Sequence, residues 1–480
     1  MADYREFIDR NFEDEVKSLQ ELIRIRSVVE DRVETSDGEV YPFGQGVQNA
    51  YEYMSELAKK EGFTFKNVDN YGGHIDFGEG EEVLGIIGHL DVVPEGDGWD
   101  HEPYCGDIID GEMWGRGTLD DKGPMMAAFY AMKALKDSGY TPSKKIRMVL
   151  GLDEETNWYG MDYYKEHEKM PDFGFTPDAE FPALNGEKGI VVVKFVKKIR
   201  TGKTKGLELR KLSGGSAPNM VAEKARVVVN SDVKGAYDKI KEQVASYAEE
   251  TGYRIKAKGA GKSLEISAEG KAAHGATPEA GLNAISILME FLGRLNFSNE
   301  DVNEFVSFYN EYIGFDLCGV KLGCGFEDKA SGKLSSNVGM IDFDGEVFTI
   351  TDNLRYPVTY TDEQLYEAIT PLLDKYNFGL IKGHAQEPIF MDPESPMIKT
   401  LMEVYQKNTG DTETKPQVIG GGTYARSADN IVAFGALFPG NPDYMHQRNE
   451  RIPVERLKLI TEIYADTLYK LSQEDFKIEE

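Results

Sequence analysis

Three apolar runs stand out in a chain that is otherwise finely mixed: "VLGII" (83–87), "KIRMVLGL" (145–152) and "GIVVVKFV" (189–196). Short apolar runs rich in β-branched residues and bounded by polar loops read as strands buried on both faces. Between the first two, "PMMAAFYAMKALKDSG" (124–139) repeats its apolar residues at the helical period and stops at a glycine. It reads as a helix. Strand, helix, strand predicts an α/β domain whose mostly parallel or mixed sheet carries helices on both faces.

Beyond about residue 188 the texture changes. "EKARVVVNSDV" (223–233) and "KSLEISAEGKAAHG" (262–275) alternate charged and apolar positions like half-exposed strands, and "PEAGLNAISILMEFLGRL" (278–295) follows with helical spacing. From "IKGHAQEPIFMDPESPMIKTLMEVYQ" (381–406) the chain reads as loop and then amphipathic helix, and it closes on the helix pattern "VERLKLITEIYADTLYKLSQ" (454–473). The reading is a discontinuous first domain, 1–187 with 386–480, interrupted by an inserted α+β domain at 188–385.

Composition narrows the function classes. A hydrophobic share of 40% supports packed cores, and a formal net charge of -29 argues against nucleic acid, whose phosphates need a basic face. No apolar run approaches the roughly 20 residues that span a bilayer. The opening "MADYREFIDRNFEDEV" has the pattern of a charged amphipathic helix and not of a signal peptide. Cys105, Cys318 and Cys324 are odd in number and scattered, which suits a reducing cytoplasm.

Seven histidines can be weighed one by one. His89 follows the first buried run, where α/β sheets collect ligand sites, and Asp91 stands two positions later. In extended chain the two would project to one side, so that the carboxylate braces the imidazole. Alone, such a pair is more often structural than functional. "WGRGTLDDKGPMM" (114–126) has Gly115 and Gly117 for a tight turn and Asp120 and Asp121 at a helix start, where aspartate is also a common cap. "VLGLDEETNWYG" (149–160) ends the second run in Asp153, Glu154 and Glu155. Adjacent residues in extended chain point apart, so Glu154 and Glu155 can divide two tasks, one toward a metal and one toward a water. Asp178 lies in "FTPDAEFP" (175–182) and His446 in the Gly/Pro-rich loop "PGNPDYMHQRNE" (439–450), each readable by itself as a turn or surface residue. Taken together, His89, Asp120, Glu155, Asp178 and His446 form a donor set suited to zinc or a similar ion. Its excess of carboxylate suits two ions bridged by one aspartate.

With "GHLDVVP", "GRGTLDDKGP", "DEET", "TPDAEFP", "KAAHGATP", "GGGTYAR" and "HQRNE" in this order, the sequence resembles the co-catalytic di-zinc peptidase and deacylase family. That family includes acetylornithine deacetylase, succinyl-diaminopimelate desuccinylase, aminoacylase and carboxypeptidases of the G type, and the resemblance is closest to the PepV-type bacterial dipeptidases. It implies two Zn2+ ions, with Mn2+ or Co2+ as alternative occupants. Asp120 would bridge them, with Asp121 as the rival for that role; His89 and Asp178 would complete one ion's ligands, and Glu155 and His446 the other's. It implies a cis peptide after the bridging aspartate, Glu154 as general base, and Asp91 bracing His89. From the inserted domain, a lid, it implies Asn219 and Arg355 on the substrate and His274 on the oxyanion, with Gly421, Gly422 and Thr423 lining the floor. The expected activity is hydrolysis of dipeptides bearing a free carboxylate, by attack of a metal-bound hydroxide. The alternative is deacylation of N-acyl amino acids. The enlarged lid points to a monomer and the resemblance to a bacterial enzyme, while the charge, the scattered cysteines and the lack of a spanning run point to the cytoplasm without nucleic-acid or membrane partners.

Overall fold

The computed structural model describes residues 3–200 and 205–478. Two compact units emerge, one formed by Met1–Asn185, Phe390–Gln417 and Thr423–Glu480, the other by Gly186–Ile389 with Val418–Gly422. The glycine stretch 418–422, read from the sequence with the first domain, clusters with the second unit.

The first unit is built on a mixed sheet. Its strands run in the order Leu184–Glu187, Ile431–Ala433, Phe173–Thr176, Val83–His89, Lys145–Gly151, Gly72–Phe77 and Thr64–Val68. The four from Ile431–Ala433 to Lys145–Gly151 are parallel, and the flanking pairs are antiparallel. The two apolar runs are the central strands. Val83–His89 is buried at every position, as a parallel strand covered on both faces must be. Helix Lys122–Asp137 packs against helices Tyr4–Ile23 and Val454–Leu471. Its alanines at 127, 128, 131 and 134 are fully buried and let its neighbours approach closely. Each wholly buried Ile, Leu or Phe, such as Ile86, Phe129 and Leu468, contributes roughly 1.5–3 kcal/mol to that core.

The second unit carries an eight-stranded, wholly antiparallel sheet: Arg254–Ala260, Ser263–Glu269, Lys224–Ser231, Leu207–Gly214, Ser335–Phe343, Val347–Tyr356, Gly189–Lys198, Gly379–Gln386. Three sequence expectations change here. "GIVVVKFV", read as buried on both faces, alternates instead: Val191, Val193 and Phe195 face the core with Leu365 and Ile369, while Ile190 and Val192 are half-buried. Residues 381–386, read as loop, belong to an edge strand paired with it, whose exposed residues hide its strand character. The helix read over 278–295 also breaks in two. Leu282 exchanges both backbone hydrogen bonds with Lys271, so its amide and carbonyl are taken, and the helix restarts at Ala284 with Asn283 as its cap.

Candidate active site

His89 is the last residue of its strand and is completely buried. Gly88 before it has no side chain because Asp121 and Met125, at the start of helix Lys122–Asp137, occupy the space a Cβ would need. Asp121 Oδ2 there accepts the His89 backbone N–H at 3.2 Å. The strand ends at His89, so the alternation expected to aim Asp91 beside it does not continue. His89 Nδ1 donates to the Asp91 backbone carbonyl at 2.9 Å, and the Asp91 carboxylate stands at 3.4 Å. That carboxylate is engaged elsewhere, accepting the backbone N–H groups of Glu154 (3.1 Å) and Glu155 (3.0 Å). Because Nδ1 carries the proton, the neutral ring keeps its lone pair on Nε2.

Nε2 of His89 is buried without a hydrogen-bond partner, yet carboxylate oxygens surround it: Asp120 Oδ1 at 3.1 Å and Asp178 Oδ2 at 3.6 Å. Asp120 turns its other oxygen, Oδ2, to His446 Nε2 at 2.9 Å, and His446 Nε2 stands 3.0 Å from Glu155 Oε1. Ligand atoms of His89, Glu154 and Asp178 lie within 4.8 Å of one another, as do those of His89, Asp120 and Glu155. An orphaned imidazole nitrogen facing clustered carboxylates fits a divalent cation. Asp120, and not Asp121, faces both histidines, and the Asp120–Asp121 peptide is cis.

The electrostatics have the same sense. Burial and the neighbouring Asp120 push Glu155 up to about 7 and Asp178 up to about 6. Burial, then Asp178, raises Glu154 well above the carboxylate range. Burial works against charge on His446, but Asp120 and Glu155 outweigh it and lift the ring to about 11. His89 is likewise raised by Asp120, Asp178 and Asp91 against its burial. The cluster therefore demands positive charge at its centre.

Two aromatic residues support these groups. Trp158 Nε1 donates to the Glu154 carbonyl at 2.8 Å. Tyr424, fully buried, sets its ring edge-on to both Trp158 and His89. Gly151 is required beneath it, since a Cβ there would strike the tyrosine ring.

In the second unit, Asn219 and His274 are exposed on neighbouring segments, joined by the Met220–His274 bridge and the Gly275 N–H to Asn219 carbonyl bond at 2.7 Å. Arg355, which the resemblance places on the substrate, is buried; Nε donates to Asn353 Oδ1 at 3.0 Å and Nη1 to the Gly420 carbonyl. Asn337, directly across the ladder from Asn353, donates from Nδ2 to the carbonyls of Pro218 (2.9 Å) and Met220 (3.0 Å), on either side of Asn219. Gly421 and Gly422 lie in the same unit, whereas Thr423 belongs to the first, its hydroxyl accepting the Ala425 N–H.

Residues 85–470 match the model of peptidase family M20/M25/M40. The chain belongs to this family. A Staphylococcus epidermidis protein named "Putative dipeptidase" is 39% identical over 471 residues, covering 96% of this chain and 97% of that protein. One from Staphylococcus aureus with the same description is 38% identical over 474 residues, covering 97% and 99%. Among solved structures, the di-peptidase Dug1p of Saccharomyces cerevisiae superposes with a TM-score of 0.56 at 15% identity, covering 98% of each chain. The M20 metallo-carboxypeptidase of Sulfolobus solfataricus superposes with a TM-score of 0.54 at 16% identity, covering 95% of this chain and 98% of that one. These two share the fold.

The M20 family is metal-dependent, and this cluster at the carboxyl ends of the central strands groups His and carboxylate residues that could hold a metal ion. What sequence reasoning missed is the support: Asp121 on the His89 amide, Trp158 on Glu154, Asn337 under Asn219, and Glu450. Glu450 lay in plain view within "HQRNE", yet nothing local separates a buried glutamate from a solvated one.

Proposed function

We propose that this M20 chain is a di-zinc dipeptidase. One observation carries the reading: Asp120 divides its two carboxylate oxygens between His89 and His446, the disposition of a carboxylate bridging two ions. His89, Asp178 and Asp120 would hold one Zn2+, and Glu155, His446 and Asp120 the other; two imidazoles with carboxylates favour zinc, with Mn2+ or Co2+ as substitutes. Such ions would supply a water of lowered pKa and polarise the scissile carbonyl.

The chain's own residues do the rest. Glu154, buried beside the cluster, takes the proton of the attacking water and delivers it to the leaving amine. Asp91 fixes the backbone that carries both glutamates. Arg355 clamps the free carboxylate of the substrate, His274 stabilises the oxyanion, and Asn219 with Gly421, Gly422 and Thr423 holds the peptide. The three cysteines, unpaired in the structure, support a reducing cytoplasm as the place of work, and the large second unit supports a monomer.

The test is hydrolysis of a dipeptide panel by purified protein before chelation, after chelation, and after return of Zn2+. Activity lost and then restored is expected. Undiminished hydrolysis without metal would sink the reading, and preference for N-acetyl or N-succinyl amino acids over dipeptides would move the chain to a deacylase.

A further inference from the structure

Glu450 is completely buried and takes no part in the chemistry above. Its Oε1 gathers three backbone N–H groups of one loop: Gly117 at 3.0 Å, Leu119 at 2.8 Å and Asp120 at 3.2 Å. Its Oε2 meets Arg116 Nη1 at 2.7 Å, and its own carbonyl accepts the Gly115 N–H at 3.0 Å. Arg116 is buried as well, its guanidinium 5.3 Å from the centre of the Trp99 ring. Just beyond Glu450, strand Arg451–Pro453 pairs antiparallel with Glu112–Trp114.

Arg116 supplies the countercharge of the buried glutamate, whose other lone pairs still need donors. Those donors are three converging amides on the second oxygen, and all belong to the loop that aims Asp120. A carboxylate oxygen accepting several backbone N–H groups holds their loop in a single shape. The same stretch, 446–450, also carries His446, whose Nε2 stands against Asp120 Oδ2. One short segment thus supplies one partner of Asp120 and fixes the backbone of Asp120 itself.

We infer that Glu450 is a positioning residue for the metal centre, setting metal affinity by holding the Gly117–Asp120 loop so that the two Asp120 oxygens face apart. This rests on the di-metal reading above. What matters on that account is an acceptor oxygen at the place of Oε1, more than the charge.

Two variants separate these. Glu450→Asp keeps the charge and withdraws the oxygen; the double variant Glu450→Gln with Arg116→Gln removes both charges and leaves an amide oxygen in place. Zn2+ affinity is measured by competition with a chromophoric chelator, geometry by the visible absorption of the Co2+ form, and apo-protein melting is recorded alongside. We expect Glu450→Asp to bind Zn2+ roughly 10–100-fold more weakly with an altered Co2+ band, the range for losing a residue that orients a ligand, and the double variant to stay within about 3-fold of the parent on the same scale. Unchanged affinity in Glu450→Asp overturns the inference, as does equal loss in the double variant. Failure of Glu450→Asp to fold overturns it too, by making Glu450 a residue of the fold. Absence of metal binding by the unaltered protein would instead remove the di-metal reading.

Discussion

Asp120 and His446 meet at 2.9 Å, Oδ2 to Nε2, although one lies in the loop just before a helix early in the chain and the other sits in a loop near its end. With Oδ1 of the same aspartate 3.1 Å from His89, one side chain joins two halves of a cluster. Replacing it should uncouple them. Asp120→Asn keeps one carboxamide oxygen and puts a donor where the second acceptor stood, so the variant should retain no more than one tightly held Zn2+ per chain. Elemental analysis after dialysis, together with dipeptide turnover, checks this; two retained ions with full activity would contradict it.

Glu154 can be separated from metal binding. Glu154→Gln preserves shape and the Trp158 bond to the backbone carbonyl but cannot accept a proton. The kcat should fall about 10²–10⁴-fold, the usual contribution of a general base, with metal content unchanged. A kcat within a few-fold of the parent assigns the base elsewhere.

Asp91 acts through the backbone of the glutamates. In Asp91→Asn, one of the two acceptors for the Glu154 and Glu155 N–H groups becomes a donor facing a donor. Activity should drop by roughly 10–100-fold, while the His89 Nδ1 bond, which goes to the Asp91 carbonyl, survives. Asp91→Ala should be worse than Asp91→Asn. Equal, negligible effects would show that the amides need no acceptor.

Asn337 supports the segment bearing Asn219. Asn337→Ala leaves the Pro218 and Met220 carbonyls without their donor, which costs roughly 1–3 kcal/mol of stability. It should also raise KM for a dipeptide more than it lowers kcat. Thermal melting and steady-state kinetics read the two effects separately, and an unaltered KM would detach Asn337 from substrate binding.

Asp352, buried in the second unit, gives a pH dependence. Burial raises its carboxyl from 3.8 to about 7, against the lowering effect of the Ser336 hydroxyl, which donates to it at 2.9 Å. The folded chain therefore holds this proton more tightly than the unfolded one. Its stability is full below about pH 4 and falls as pH rises toward 7, by up to about 4 kcal/mol for three pH units. Urea melts of the parent and of Asp352→Asn across pH 4–8 should diverge by that slope, the variant being flatter. Parallel curves would refute the assignment.

Much of the fold was legible because its signals are local. The apolar runs at 83–87 and 145–152 and the helical period of 124–139 name their elements, since burial on both faces or on one stripe is written in residue spacing. "GIVVVKFV" misled for the same reason: apolar residues on both sides of a strand do not say which side the structure covers, and residues 381–386 carry no apolar face to betray an edge strand. In the candidate site, residue types and their order pointed to the donor set, and the resemblance carried by those motifs divided it between two ions.

The sequence by itself determined which side chains could bind a cation and which runs form the central strands, because chemistry and periodicity reside in the residues. Only the tertiary structure decided that Asp120 rather than Asp121 faces both histidines, that a carbonyl and not a carboxylate holds His89, and that Glu450 is buried beneath the Asp120 loop. The first and last of these arise from packing between segments hundreds of residues apart, and the second from the chain leaving its strand at His89, where no local pattern reaches.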